Sequence, residues 1–256
     1  MLSRLARTLV PAVGRLTVTT DPQAEFAPGS IVVANHTSLA DPAIVLAALH
    51  RLGIEPVVAA TAGLWRVPWL GRALAREGHI PVYRKSARAA DALDLAAEAL
   101  CAGRLVLIYG EGGLPTRRDA GEEPPEAFRS GIARLSLRTG APVVPVGQAG
   151  ARRVVSGGTA KQLAGLATAP LRRPGLRVHV GTPIVLTGEA AARTEQAHTA
   201  VTTAWRTAAS GAARSGRTAT SAGVSAPASL GSGLVRGQDG RLQLAQEAGD
   251  LAALGR

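Results

Sequence analysis

Apolar segments of strand length alternate with runs of helical character along most of the chain. The strand-length segments are Ile31 to Ala34, Pro56 to Ala60, His79 to Tyr83, Leu105 to Tyr109, Pro142 to Gly147 and Arg177 to Val180. Between them lie the helix-like runs Pro42 to Leu52, Leu64 to Arg76, Ala87 to Ala102 and Ser130 to Arg138. This alternation predicts an α/β fold, a layered α/β/α single domain around a largely parallel central sheet. The strands read as continuous apolar runs, as expected where helices cover both faces. After Ala208 the chain turns to Ala, Ser, Gly and Thr as far as about Gly240, with too little apolar bulk to offset the entropy of ordering it. Residues 1–207 are therefore expected to form the domain and 208–256 a disordered, low-complexity tail. A final run, Leu242 to Leu254, has the makings of a weak helix.

At the start of the chain, Leu2, Leu5, Leu9 and Val13 recur at helical spacing, with Arg4, Arg7 and Arg15 among them. This predicts a short N-terminal helix. Two roles suit it: lying in a membrane interface, or packing on the protein's own core. The segment is too short and interrupted for a signal peptide, and no apolar run approaches the length needed to span a bilayer.

Composition narrows the partners. A chain of 256 residues can bury one full core, and its formal charge of +11 points to an anionic partner. Nucleic acid is disfavoured, because there is no recognisable reading motif and the 3 Trp, 2 Tyr and 2 Phe are scattered without forming a stacking platform. Anionic lipid, phosphate or acyl-carrier substrates remain. The basic excess is almost all arginine, with Lys85 and Lys161 the lysines, a bias that a high-GC genome also produces. A lone cysteine, Cys101, excludes an intramolecular disulfide and a multi-cysteine metal site, and is expected to be a small buried thiol at a helix end. His50, His79, His179 and His198 are isolated from one another, so no metal is expected.

The densest chemistry lies in Asn35-His36-Thr37-Ser38-Leu39-Ala40-Asp41, between the strand-like Ile31 to Ala34 and the helix-like run from Pro42. On one uninterrupted helix, residues five apart are rotated by roughly 500°, about 140° off a common face. His36 and Asp41 can therefore meet only across a turn. A carboxylate holding one imidazole nitrogen fixes the tautomer and leaves the other nitrogen free to take a proton from a hydroxyl. The same residues also suit a helix start, with Asp41 as N-cap and Pro42 at the first helical position.

Three further segments bear on that choice: Gly78-His79-Ile80-Pro81-Val82-Tyr83-Arg84, Glu111-Gly112, and Ala141-Pro142-Val143-Val144-Pro145-Val146. With His36-x4-Asp41 they resemble the four ordered blocks of the glycerolipid acyltransferase family, which includes the 1-acylglycerol-3-phosphate acyltransferases. Leu64 to Gly71 resembles the segment before the second block, and Phe128 to Leu135 the helix before the fourth. The resemblance covers roughly residues 10 to 185. In the third block, family members usually read Phe-Pro-Glu-Gly-Thr or Ser; here the chain has Tyr109-Gly110-Glu111-Gly112-Gly113, with Leu114-Pro115 before Thr116.

The resemblance implies an O-acyltransferase without cofactor, moving a fatty acyl group from acyl-CoA or acyl-carrier protein to the free hydroxyl of a lysophospholipid. 1-Acylglycerol-3-phosphate is the first acceptor it suggests, in phospholipid biosynthesis. His36 would be the base and Asp41 its orienting partner. Arg84 would pair with the acceptor phosphate, for which a guanidinium fork is suited; otherwise it is a surface arginine beside Lys85 and Arg88. Glu111 would bond acceptor hydroxyls or position Arg84, and Gly112 and Gly113 would turn backbone amides toward an anion, unless the segment is only a solvated turn. Thr116 is the substitute for the missing hydroxyl. The segment Asp119 to Glu126 is expected to be mobile. Trp65 and Trp69, four apart on an expected helix, suit an acyl-chain groove, a membrane-facing edge or simple packing. The expected setting is cytoplasmic, peripheral on the anionic inner face of the cell membrane. The altered third block keeps two other readings open: a different lysolipid acceptor, or a non-catalytic lipid-surface protein of the same fold.

Overall fold

The structure, a computed structural model, describes residues 2–83, 88, 90–115, 119 and 121–220, with only the helical course of the chain given for 212–220. Among the described residues seven strands form one sheet: β1 (Arg15–Thr20), β2 (Ile31–Ala34), β3 (Val57–Thr61), β4 (Ile80–Val82), β5 (Val106–Tyr109), β6 (Val143–Ala149) and β7 (Gly175–Val180). Their order is β1-β7-β6-β2-β5-β3-β4. The pairs from β6 through β2, β5 and β3 to β4 are all parallel; β7 pairs antiparallel with β6, and β1 pairs parallel with β7. The expected α/β architecture with its largely parallel sheet is what the chain adopts.

The helices are α1 (Leu2–Val13), α2 (Asp41–Arg51), α3 (Pro68–Arg76), α4 (Asp91–Cys101), α5 (Gly131–Thr139), α6 (Thr159–Arg172) and α7 (Ala190–Thr220). β2 lies at the centre with all four residues buried, because its alternate side chains enter two different cores. Val32 and Ala34 join Ala6 and Val10 of α1, Ile44 to Leu49 of α2 and Ala169 of α6. Ile31 and Val33 join Ala96 and Leu100 of α4, Ile132 and Leu135 of α5, and Ala197 and Val201 of α7. Two apolar layers thus clamp the middle of the sheet, which fixes the level at which β2 ends.

Several details differ from the sequence-based expectation. β1, α6 and α7 were not anticipated. β1 sits on the sheet edge and is exposed at alternate positions, so it lacks the continuous apolar run that marks the central strands. α7 carries the helix past the expected domain end at 207, and the part of the expected tail beyond Thr220 lies outside the described residues. Cys101 is exposed rather than buried, because α4 turns Ala97 and Leu100 inward instead. Trp65 and Trp69 do not share a helix. Trp65 belongs to the 3₁₀ turn Ala62–Arg66, and extended Val67 precedes Pro68, whose ring disfavours helical geometry in the residue before it.

α7 crosses β6 at very close range. A Cβ on Gly147 would fall 2.1 Å from the backbone of Ala204 and Trp205, so only glycine permits this approach. β6 continues two residues beyond the expected end at Gly147, and the added length carries Gln148 into the interior.

Candidate active site

β2 delivers the chain to the carboxyl edge of the parallel strands, where β5 and β6 end on either side. The first residue past the strand, Asn35, is wholly buried and mimics a strand residue with its side chain. Its Nδ2 donates to the Gln148 carbonyl at 3.1 Å and its Oδ1 accepts from the Gln148 amide at 2.8 Å. This pair holds the loop against β6 as the ladder stops, and so sets the direction in which His36 leaves the sheet.

His36 and Asp41 meet across the turn that follows. His36 Nδ1 lies 3.0 Å from Asp41 Oδ2, with the carboxylate side chain fully buried and the imidazole 13% exposed. The same Oδ2 accepts from the Thr37 and Ser38 backbone amides, and Oδ1 accepts from Gln148 Nε2 at 2.7 Å. The carboxylate thus faces back over the turn. The N-cap position of α2 falls on Ala40, and the Asp41 side chain turns to His36 and the amides of the turn instead. Burial pushes the Asp41 carboxyl upward, opposed by its bonds to His36, Ser38 and Thr37. Without those donors, a carboxylate in this place would hold its proton and lose its grip on the imidazole.

The ring of His36 lies over that of Tyr109, with centroids 4.5 Å apart and planes tilted by 33°. The Tyr109 hydroxyl is buried without a hydrogen-bond partner among the described residues. From the β5 side Glu111 also reaches this loop, both carboxyl oxygens lying 3.1 Å from the His36 amide. Burial pushes its pKa up to about 8, against the opposing bond from the His36 amide. Glu111 therefore anchors the backbone of His36, a job the sequence did not reveal.

The Gly112 amide does not turn toward an anion as expected: it donates to the Tyr109 carbonyl at 3.2 Å, closing a turn within the third block. Gly113 follows in that turn, partly buried. Arg84 and Thr116 lie outside the described residues. The unusual Gly110 has a steric cause, because a Cβ there would fall 2.4 Å from the ring of Phe128. Phe128 and Arg129 fold over the block, Arg129 donating through its backbone to the Gly110 carbonyl at 3.0 Å and through Nε to the Glu111 carbonyl at 3.3 Å. The loop between β5 and α5 is tied down at Glu122, which accepts from the Gly150 amide at 2.7 Å, and at Pro125, whose carbonyl accepts from His198 Nε2 at 3.1 Å.

Two contributors escaped the sequence reading, Gln148 and Arg152. Gln148 Nε2 bonds Thr37 Oγ1 at 3.0 Å as well as Asp41, and Arg152 donates to the Thr37 carbonyl at 2.9 Å. Ser38 Oγ donates to the Val155 carbonyl at 2.7 Å. The signal for Gln148 is a polar residue that extends a continuous apolar strand. Arg152 carries no comparable signal, being one arginine among many. Among the described residues, no group of three or more His, Cys, Asp or Glu side chains is placed to hold a metal ion.

This arrangement agrees with the similarities found to known proteins. A family profile for acyltransferases matches residues 15–148, from the start of β1 to Gln148 in β6. The 1-acyl-sn-glycerol-3-phosphate acyltransferase of Borreliella burgdorferi is 31% identical over 117 residues, which span 45% of this chain and 44% of that protein. The chain thus matches less than half of that relative's length. The crystal structure of the 1-acyl-sn-glycerophosphate (LPA) acyltransferase PlsC from Thermotoga maritima superposes with a TM-score of 0.60 at 18% identity, covering 82% of this chain and 77% of that one. At that identity the likeness speaks for the fold. With its profile spanning more than half of the sequence and both halves of the His36–Asp41 pair inside it, the chain belongs to the acyltransferase family.

Proposed function

We propose that the protein transfers a fatty acyl group from a thioester donor, acyl-CoA or acyl-carrier protein, to the free hydroxyl of a lysophospholipid, 1-acylglycerol-3-phosphate above all. The observation that carries this reading is the 3.0 Å contact between His36 Nδ1 and a fully buried Asp41 oxygen. With Nδ1 carrying the proton that bonds Asp41, Nε2 is left as the acceptor. The acceptor hydroxyl gives its proton to His36 Nε2 as its oxygen attacks the thioester carbonyl carbon. When the tetrahedral species collapses, the C–S bond breaks and the thiolate takes the proton back from Nε2. The carboxylate stabilises the imidazolium present between these two events, as in other histidine bases held by a carboxylate. No acyl-enzyme is needed. Arg84 is assigned the acceptor phosphate on the strength of its motif position, and Thr116 the role of the missing third-block hydroxyl.

The protein is also expected to work at an anionic membrane surface, on the inner face of the cell membrane. α1 buries Ser3, Ala6 and Val10 against the protein while Leu5 and Leu9 stay 47% and 54% exposed. Trp69 of α3 is 66% exposed and shares with Leu2 and Leu5 a cavity of about 570 Å³ rimmed by Arg4, Arg72 and Arg76. Apolar side chains ringed by arginines suit a helix lying in the headgroup region. Among the described residues, no helix is long and apolar enough to cross a membrane.

The test is purified protein incubated with labelled acyl donors and a panel of lysolipids, with products read by mass. Acylated lysophosphatidic acid formed by the wild type and lost in His36→Ala is the expected result. Product from a different lysolipid alone would move the acceptor assignment, and no product with any pair would refute the reading.

A further inference from the structure

The sheet order gives β2 two flanks, one running through β5 and β3 to β4 and the other formed by β6. On the β6 flank a cleft of about 380 Å³ opens between the 3₁₀ turn Ala151–Arg153 and one face of α6. Arg152, Arg153, Lys161 and Arg172 line it together with Ser156 and Thr168, and no carboxylate is among the described residues that do so. Lys161, Thr168 and Arg172 share a helix face by their spacing of seven and four residues.

At this cleft the Arg172 guanidinium is held by groups that carry no charge. Arg172 donates to the carbonyls of Arg153 at 3.0 Å and Gly165 at 2.8 Å, and to Thr168 Oγ1 at 3.0 Å. Arg152 donates to the carbonyl of Thr37 at 2.9 Å and to that of Asp119. Glu122, the carboxylate that acts on Arg152 and Arg153 from nearby, is already engaged by the Gly150 amide, and burial raises its pKa. Crowding of like charge extends to Arg177, whose pKa is lowered by burial and then by Arg153 and Arg15. A concave site lined by cations focuses a positive potential, and a multiply charged anion relieves the repulsion within it.

The cleft also touches the catalytic loop. Arg152 reaches from it to the Thr37 carbonyl, and Ser38 Oγ bonds Val155 beside it. Both substrates of the proposed reaction carry phosphate, and the motif assigns the acceptor's to Arg84. Building on the acyltransferase reading, we propose that this cleft binds the phosphate of the acyl donor's phosphopantetheine arm, beside the loop that carries His36. The 4′-phosphate is common to CoA and to carrier protein; CoA adds a second phosphate in the diphosphate and a third on the ribose.

The test compares thioesters of one fatty acid with pantetheine, 4′-phosphopantetheine, dephospho-CoA and CoA, together with acyl-carrier protein. Wild type is expected to favour the phosphate-bearing donors over acyl-pantetheine in kcat/KM by about tenfold or more, one charge-assisted contact's worth. In Arg153→Glu/Lys161→Glu that preference should collapse, while the KM for the lysolipid stays within about twofold, on the order of 0.4 kcal/mol. A step between acyl-pantetheine and acyl-4′-phosphopantetheine assigns the cleft to the shared phosphate; a step only between dephospho-CoA and CoA assigns it to the ribose phosphate and overturns the shared-phosphate proposal. A wild type indifferent to phosphate, a double variant with unaltered preference, or a variant whose lysolipid KM rises instead would each overturn it too. If the variant fails to fold, a wild type indifferent to phosphate still overturns the proposal. Calorimetric titration with CoA separates the two levels of inference. CoA that binds wild type and not the variant, with no donor turned over, removes the acyltransferase reading and keeps an anion cleft. Turnover with unaltered donor preference removes the cleft alone.

Discussion

The side-chain amide of Gln148 donates to Asp41 Oδ1 at 2.7 Å, joining the end of β6 to the first residue of α2 across 107 positions of sequence. Gln148 is wholly buried, and through its backbone it also clamps Asn35 on the strand that presents His36. One residue thus holds the loop on both sides of the imidazole. The dyad depends on a third side chain that touches neither His36 nor any place where substrate is proposed to lie.

Gln148→Leu should lower kcat by about 10- to 100-fold with little effect on either KM, since a lost hydrogen bond to a charged group costs about 1.5 to 3 kcal/mol. Removing a donor from an ionised carboxylate raises its pKa, so the acid limb of the kcat/KM profile should move to higher pH. A purely structural role would lower thermal stability without moving that limb. Gln148→Glu, which sets a second carboxyl beside Asp41, should move the limb further in the same direction.

Asp41→Asn should leave the fold nearly intact and reduce turnover by roughly 10⁴-fold, the scale seen when a triad aspartate is made an amide and the imidazole takes the wrong tautomer. His36→Ala should abolish transfer. Near wild-type turnover in His36→Ala at unchanged melting temperature would refute the role of the dyad.

Glu111 makes stability depend on pH in an unusual sense for a carboxyl. Burial holds its folded pKa at about 8, against an ordinary value of 4.5. Between those two values the unfolded chain has released this proton while the folded chain keeps it, so stability falls as pH rises through the window. Glu111→Gln retains an acceptor for the His36 amide without the titration. Its melting temperature should decline less between pH 5 and 8 than that of wild type, as followed by calorimetry in that range. Parallel melting curves for the two proteins would contradict the assignment.

Binding to vesicles should reside in the exposed side of α1 and not in its buried side. Leu5→Glu/Leu9→Glu, which alters exposed positions only, should release the protein from vesicles containing anionic lipid while its melting temperature changes little. Binding of wild type should weaken with salt, because attraction to a charged surface is screened within about 10 Å at 0.1 M ionic strength. Equal co-sedimentation of wild type and variant would place the membrane contact elsewhere.

The central strands, the helices between them and the turn holding His36 and Asp41 were legible from the residues, because each depends on neighbours in sequence. β2 is an unbroken apolar run, and two residues five apart can meet only where the chain bends. β1 was missed because an edge strand with alternate exposure leaves a weaker apolar signal than a buried one. What the folded chain alone decided is which way Asp41 faces and what holds it there. A helix cap and a histidine partner ask for the same residue at the same place, and the choice between them was made by amides of the turn and by Gln148, brought from β6. Gly147 shows the same division: it is an unremarkable glycine until α7, folded from residues far downstream, is laid against β6 at a distance that no Cβ allows. Local pattern is written in the periodicity of one element, whereas the satisfaction of a buried charge and the closeness of two backbones arise from pairs of elements, and appear only once the sheet order has set them side by side.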